Sequence, residues 1–199
     1  GPPHTAHAAV VLLNFQNVTP QPFTPAQAKT YLASVHDYYK EISYGSWTVQ
    51  TDVFGPFTVP KPADCSLDTI GKLGRQAAKD KGVAIDGYDH VGVTVPQNSA
   101  SGLDCACGLA WVGTPPAQPN ANVQGTSLYT CYGENAFAHE MGHGFGLDHA
   151  STAHCNGQAM RRNPYDACSI DEYGNHFNTM GNGLGHMNAY QKAEMKWLD

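Results

Sequence analysis

The segment HEMGHGFGLDH, which begins at residue 139, constrains the fold of this chain more than any other. His139 and His143 are four residues apart, so a helix places both imidazoles on one face, with Glu140 beside them. His149 lies too far along the chain to share that face if the helix continues. Gly146 permits the reversal that is needed, because a glycine adopts positive φ without strain from a Cβ. The segment therefore predicts a helix that ends in a tight turn and brings three histidines together.

This arrangement predicts a metal site of the catalytic kind. Neutral imidazoles from His139, His143 and His149 leave one position open in a tetrahedral site, which is typical of catalytic rather than structural zinc. Glu140 is expected beside this open position, where its carboxylate can act on a metal-bound water molecule. Imidazole also binds copper, nickel and cobalt, so the assignment of one Zn²⁺ rests on the ligand set and on availability. The alternatives are a structural metal site and a helix with metal-free surface histidines.

Other metal-binding candidates in the sequence are weaker. Three further histidines could act as ligands, namely His154, His176 and His186. They are weaker candidates because three good ligands are already present. Ca²⁺ is a second cofactor that we consider and do not assign, because the acidic stretches show no EF-hand spacing. The acidic residues in question are Asp86, Asp89 and Asp104, and we expect their carboxylates to be solvated in turns.

The hydrophobic pattern in the first part of the chain predicts alternating strands and helices. His7–Phe15 is a short apolar run rich in β-branched residues, which predicts a central strand. Thr24-Pro25-Ala26-Gln27 forms a capping box with proline at the first helical position, which predicts a helix that ends near Ser43. Trp47–Val59 alternates and breaks at Gly55-Pro56, which is typical of a long strand with a bulge or bend.

The remaining pattern is less regular. A second helix is predicted from about Ser66 to Lys81, although Gly71 and Gly74 weaken its pattern. Three further strands are predicted at His90–Val95, Gly108–Val112 and, more weakly, Ser127–Cys131. Periodicity is then scarce until a last helix over 188–198, one side of which is formed by Tyr190, Ala193 and Trp197.

Six cysteines indicate disulfides rather than a zinc knuckle, because none of their spacings is CxxC. Together with few Lys and Glu residues, they are typical of an exported protein. Cys105 and Cys107 are too close in sequence to bridge each other comfortably. We favour a Cys155–Cys168 pair, and the other four then allow Cys65–Cys105 with Cys107–Cys131, or Cys65–Cys107 with Cys105–Cys131. The alternative is reduced, buried thiols.

Charge and length exclude several functional classes. The chain has 11 Lys and Arg against 17 Asp and Glu, a net charge of −6, so no basic field attracts nucleic acid or an anionic membrane. No apolar run approaches the roughly 18 residues of a membrane-spanning helix. With 199 residues and no linker, we expect one domain over 1–199. Residues 1–3 carry neither Met nor a leader, and we expect any signal peptide or inhibitory pro-segment to have been removed.

The segment from His139 to His149 resembles the zinc-binding pattern HExxHxxGxxH of the metzincin metallopeptidases. Asn178-Thr179-Met180-Gly181 is similar to their Met-turn, and Gly108–Val112 resembles the edge strand against which they lay an extended substrate. Residues 38–59 and the closing AYQKAEMKWL are similar to regions of gametolysin-like members. Ala150 follows the third histidine, where astacins have Glu, adamalysins Asp, matrixins usually Ser and serralysins Pro, which favours a gametolysin-like metzincin.

The resemblance implies an α+β fold with two subdomains in one catalytic domain. The upper subdomain, about 1–146, would hold a twisted mixed sheet with packed helices, one of them zinc-binding. The lower subdomain, about 147–199, would be small and irregular, with the Met-turn and the final helix. Met180 would pack beneath the metal without binding it. Asn182 stands where astacins and serralysins have a tyrosine, which leaves Tyr173 as a weak substitute in any tyrosine-assisted mechanism.

The resemblance also implies a secreted, monomeric zinc endopeptidase that acts on a protein or glycoprotein. Zinc on the three histidines would acidify a water molecule and polarise the scissile carbonyl, while Glu140 serves as general base and then general acid. The substrate would add to the sheet along four residues of the edge strand, Gly108, Leu109, Ala110 and Trp111.

Two other functions remain open on the sequence. Zinc-water chemistry does not distinguish one amide from another, so a hydrolase of a peptidoglycan crosslink is an alternative. A second is a non-catalytic module that binds a peptide or glycoprotein, which the intact Glu140 disfavours. For the strand that begins at Gly108, the alternative is an ordinary sheet edge with Trp111 in the core.

Overall fold

The computed structural model describes residues 4–20, 23–115, 125–155, 168–183 and 185–198. Five strands form a twisted mixed sheet in the order β2-β1-β3-β5-β4, and helices pack on both of its faces. The α+β fold is therefore confirmed. The elements in chain order are β1 (His4–Phe15), α1 (Pro25–Ile42), β2 (Trp47–Val59), α2 (Leu67–Asp80), β3 (His90–Thr94), α3 (Asn98–Ser101), β4 (Gly108–Ala110), β5 (Gly125–Tyr129), α4 (Glu134–Gly144), β6 (Thr152–His154), β7 (Ser169–Asp171) and α5 (Ala189–Glu194).

Strand β1 is central, as its apolar run predicts, and lies parallel to both β2 and β3. Successive side chains of a strand point to opposite faces of the sheet. Val10 and Leu12 accordingly pack in a core with α1 and α4, whereas Val11 and Leu13 pack in a second core with α2. A continuous apolar run is needed because both faces of the strand are covered.

Helix α1 and strand β2 follow their predicted signals. The side chain of Thr24 accepts a hydrogen bond from the backbone of Gln27, and the Gln27 side chain accepts one from the backbone of Thr24, so the capping box is formed. The register between β1 and β2 shifts between Val11 and Leu13, opposite the predicted break at Gly55-Pro56. These two elements are therefore determined by local sequence.

Helix α2 forms despite its glycines because they lie where the helix meets the sheet. A Cβ on Gly74 would lie 2.5 Å from a methyl group of Val93, and one on Gly71 would lie 2.7 Å from a methyl group of Thr126. The missing side chains let the helix approach β3 and β5 closely. The glycines that weaken the helical pattern are thus a requirement of packing.

Strand β4 forms one edge of the sheet, antiparallel to β5. It ends at Ala110, two residues before its predicted end, and β5 begins at Gly125, two residues before its predicted start. Among the described residues, no helix has both the length and the apolar character to cross a bilayer.

The region after α4 contains a hairpin that the sequence pattern does not predict. Strands β6 and β7 pair antiparallel, and each has three residues, too few to show a period. The Cys155–Cys168 disulfide closes the hairpin and confirms the favoured pairing. The other bridges are Cys65–Cys105 and Cys107–Cys131, the first of the two predicted patterns.

The prediction for the last helix was wrong about its length, and the side that it named is not the buried one. Helix α5 ends at Glu194, and Tyr190 and Ala193 are exposed. Lys192 is buried instead. Its Nζ lies 4.5 Å above the ring of Tyr44 and donates a hydrogen bond to the hydroxyl group of that tyrosine, which offsets the cost of burying the charge.

Trp197 does reach the core, but not as a continuation of that helix. Lys196 has a φ of 56°, so the chain turns back after the helix ends. The indole ring of Trp197 then packs against Tyr39 of α1 and Trp47 of β2. The helical spacing that groups Trp197 with Tyr190 therefore does not apply.

Candidate metal centre

Helix α4 carries His139, Glu140 and His143 and ends in a Schellman motif that reverses the chain. The backbone N–H of Gly146 donates to the carbonyl of His143, and that of Leu147 donates to the carbonyl of Gly142. Gly146 has a φ of 99°, and a Cβ there would lie 2.3 Å from the backbone nitrogen of Pro115. Conformation and space therefore both require glycine at this position.

The reversal brings His149 to the two histidines of the helix. The Nε2 atoms of His143 and His149 are 3.0 Å apart. One ring nitrogen from each of His139, His143 and His149 lies within 4.8 Å of the other two. The structure thus places the three predicted ligands in one cluster.

Hydrogen bonds at the opposite nitrogen determine which tautomer each histidine adopts. Nδ1 of His139 donates to the carbonyl of Thr179, and Nδ1 of His143 donates to the carbonyl of Leu147, both over 2.7 Å. Nδ1 of His149 donates to Oε1 of Glu172 over 2.6 Å. Because these oxygens only accept, each Nδ1 carries the proton and each Nε2 presents a lone pair.

The cluster fits a divalent cation. Burial lowers the pKa of His143 to about 4 and also lowers the pKa of His139, so both imidazoles are neutral near pH 7. Neutral lone pairs that face one another repel unless a cation lies among them. Three neutral imidazole nitrogens are a ligand set of catalytic zinc sites, and His139, His143 and His149 would hold the ion.

Glu140 follows His139 in helix α4, and its side chain is buried against strand β4. Its side chain is nearly enclosed, with 8% of its surface exposed, and burial raises its pKa to about 7. The carboxylate lies directly against the backbone of Gly108, where a Cβ would be 2.2 Å from Oε1. An acid–base group works best when its pKa lies near the working pH, so this environment suits proton transfer.

Met180 lies beneath helix α4 and is fully buried. Its Sδ atom would be 2.4 Å from a Cβ on Gly142, so helix and methionine are in close contact. Its carbonyl accepts a hydrogen bond from the backbone of Ala150, which anchors the chain next to His149. This position agrees with the predicted packing role of Met180 under the metal, which remains a prediction.

Strand β4 lies against helix α4, and no strand among the described residues pairs with its outer edge. Leu109 and Trp111 are 40% and 61% exposed, so the alternative that puts Trp111 in the core was wrong. Just beyond the strand, the backbone N–H of Gly113 donates to the carbonyl of His143, which ties this edge to helix α4. The substrate-binding role of Gly108, Leu109, Ala110 and Trp111 stays a prediction.

The weaker metal candidates have other partners or lie apart. Among the described residues, the three-histidine cluster is the only group of at least three metal-binding side chains. His186 donates to Glu41 over 2.7 Å. Asp86 forms ion pairs with Lys79 and Arg75, and Asp89 accepts a hydrogen bond from the backbone of His7.

Glu172 is a residue of this site that sequence reasoning missed. It follows β7 and contacts His149, a residue 23 positions earlier in the chain. Next to it, the Tyr173 ring packs on His149 with ring centroids 4.0 Å apart. The predicted Cys155–Cys168 bridge was the one available signal, since it folds this segment back toward His149.

Comparison with known proteins supplies two findings. A family model described as metallo-peptidase family M12 matches residues 25–195. No curated protein sequence matches the chain.

Several solved structures are similar to this chain. The crystal structure of metalloproteinase-II from Bacteroides fragilis has a TM-score of 0.54 at 14% sequence identity, and the match covers 98% of this chain and 54% of that chain. The chain therefore spans about half the length of that protein, and the likeness shows a common fold. A chain from the structure of a chaperone-substrate complex has a TM-score of 0.45 at 20% identity, over 78% of this chain and 25% of that chain.

Proposed function

The chain belongs to metallo-peptidase family M12, and from that premise we propose that it is a metzincin-type zinc metalloendopeptidase that cleaves proteins or glycoproteins outside the cell. The observation that carries the proposal is the convergence of three imidazole nitrogens, two of them on the helix that also carries the buried Glu140. Three disulfides agree with an oxidising, extracellular compartment. The narrower likeness to gametolysin stays a prediction.

The proposed mechanism divides binding and proton transfer between different residues. When bound, zinc lowers the pKa of a coordinated water and polarises the scissile carbonyl. Glu140 takes a proton from the attacking water on its carboxylate and then donates it to the leaving amine. Burial raises the pKa of Glu140 to about 7, which makes its carboxylate a better proton acceptor than an exposed glutamate.

We place the substrate along the outer edge of β4, with which no strand of the described residues pairs. An extended peptide adds to an open sheet edge through main-chain hydrogen bonds, and alternate side chains meet surface pockets. Gly108 of this strand abuts Glu140, so a peptide on the edge runs past the carboxyl group. Trp111 is exposed at the end of the strand and offers an apolar surface to a substrate side chain.

The test compares cleavage of an unfolded general protein substrate by the wild type and by Glu140→Ala, each shown to hold one zinc. We expect the wild type to cleave and the variant to lose turnover while it retains zinc. Equal activity in both would overturn the mechanism. A chelator should abolish wild-type activity, and added zinc should restore it.

The His149→Ala variant tests the third ligand separately. We expect loss of both zinc affinity and activity, since two imidazoles remain. Full zinc retention would mean that another residue is the third ligand. A wild type that cuts purified cell wall but no protein would replace the peptidase with a hydrolase of another amide.

A further inference from the structure

His149 differs from the other two histidines in what holds it. His139 and His143 belong to helix α4, and their Nδ1 atoms donate to backbone carbonyls. His149 follows the reversal, outside any helix or strand, and its Nδ1 donates to a side-chain carboxylate, that of Glu172. A bond from imidazole to an ionised carboxylate is about twice as strong as a bond between neutral groups.

The closed hairpin holds Glu172 where this contact requires it. Strands β6 and β7 pair over three residues each, and the Cys155–Cys168 disulfide closes their far end. At the near end, the Ser151 hydroxyl donates to the carbonyl of Glu172, which binds the two sides of the hairpin next to His149.

The turn after β7 is also tightly held. The backbone N–H of Tyr173 donates to the Asp171 carboxylate, and that of Gly174 donates to the Asp171 carbonyl. A Cβ on Gly174 would lie 2.7 Å from Cβ of Thr152, so the turn packs directly on β6. The ring of Tyr173 covers one side of the His149 imidazole. His149 is thus held by a ring contact and by a charged hydrogen bond from the same two-residue segment.

We propose that Glu172 is a positioning residue that holds His149 with Nδ1 protonated and Nε2 directed at the metal. The inference rests on the zinc site of the proposed function. A carboxylate behind a metal-bound imidazole fixes its tautomer and ring orientation and makes it a stronger donor to the cation. Loss of such a partner weakens metal binding even though every ligand is still present.

The test measures metal affinity rather than turnover. Zinc dissociation constants are obtained by competition with a chromophoric chelator for the wild type, Glu172→Ala and Glu172→Gln. We expect about a 10-fold to 100-fold weaker affinity in Glu172→Ala. Glu172→Gln should recover part of this loss, because its amide oxygen accepts the same hydrogen bond without the charge. Cobalt-substituted Glu172→Ala should also show an altered visible absorption spectrum, which reports ligand geometry.

The chain offers a matched control. Glu41 accepts a hydrogen bond from His186 over 2.7 Å, and both carboxylates are largely exposed. Glu41→Ala therefore breaks a similar Glu–His pair outside the metal cluster and should leave zinc affinity and the cobalt spectrum unchanged. Equal thermal unfolding of the zinc-free wild type and Glu172→Ala would show that the variant is folded.

The outcomes separate this inference from the proposed function. If Glu172→Ala binds zinc within about twofold of the wild type with an unchanged cobalt spectrum, the positioning role is overturned and the peptidase proposal is unaffected. If the wild type binds zinc but cleaves no substrate, the proposed function fails while a weaker Glu172→Ala affinity still supports the inference. A wild type that binds no zinc overturns both.

Discussion

Replacement of Gly108 by alanine should disable Glu140 without removing it. The new Cβ would lie 2.2 Å from Oε1 of Glu140, 2.8 Å from its Cδ and 3.0 Å from its Cγ. Ordinary contact begins at 3.4 Å, so the carboxylate must move by about 1.2 Å. A misplacement of about 1 Å in a reacting group costs roughly 100-fold in rate, or about 2.7 kcal/mol of activation free energy.

The same change should have little effect on folding. The atoms that must move are the end of a flexible side chain, so we expect the free energy of unfolding to fall by less than about 1 kcal/mol. Zinc should stay bound, because no histidine is displaced directly. The matched control is Gly87→Ala, since a Cβ at Gly87 meets nothing within 4 Å.

The assay is release of fluorescence from a labelled, unfolded protein substrate, with bound zinc measured on the same samples. We expect kcat of Gly108→Ala to fall roughly 100-fold, whereas an obstructed substrate strand would raise KM instead. A Gly108→Ala, Glu140→Ala double variant should be no slower than Glu140→Ala alone, because both changes act through one group. Activity of zinc-loaded Gly108→Ala within about threefold of the wild type would refute the reasoning.

Three further predictions concern stability, each measured by urea unfolding of zinc-free protein. Burial lowers the pKa of His90 to about 3. Between pH 6.5 and pH 3 the unfolded chain therefore binds a proton at this residue that the folded protein does not, and the free energy of unfolding falls by about 1.4 kcal/mol for each unit by which the pH is lowered. His90→Gln should show a shallower acid dependence, and an equal slope would contradict this. Gly142→Ala should cost about 1–3 kcal/mol, because its Cβ would lie 2.4 Å from Sδ of Met180; no loss would mean that the methionine moves freely. Tyr39→Phe should cost about 1 kcal/mol, since its buried hydroxyl donates to the carbonyl of Ala138 over 2.7 Å, and wild-type stability would count against that bond.

Elements with strong local signals were predictable. The two-sided apolar run of β1 predicts a central strand, and the capping box at Thr24 predicts where α1 begins. The buried side of α5 was not predictable, because it depends on a chain reversal at Lys196 and on the contact of Lys192 with Tyr44. Strands β6 and β7 were missed because three residues are too few to show a period.

The candidate metal site also has features that the sequence predicts and features that it does not. The candidate ligands His139, His143 and His149 and the need for Gly146 could be read from the residues alone, because helical spacing and positive φ are local properties of the chain.

The nitrogen of each imidazole that faces the cluster depends on long-range packing, since the acceptors include Thr179 and Glu172, which lie 40 and 23 residues from their histidines. The contact of Gly108 with Glu140 and the choice between the two disulfide patterns depend on that packing as well. Each depends on distances between segments that meet only when the sheet, helix α4 and the closed hairpin pack together.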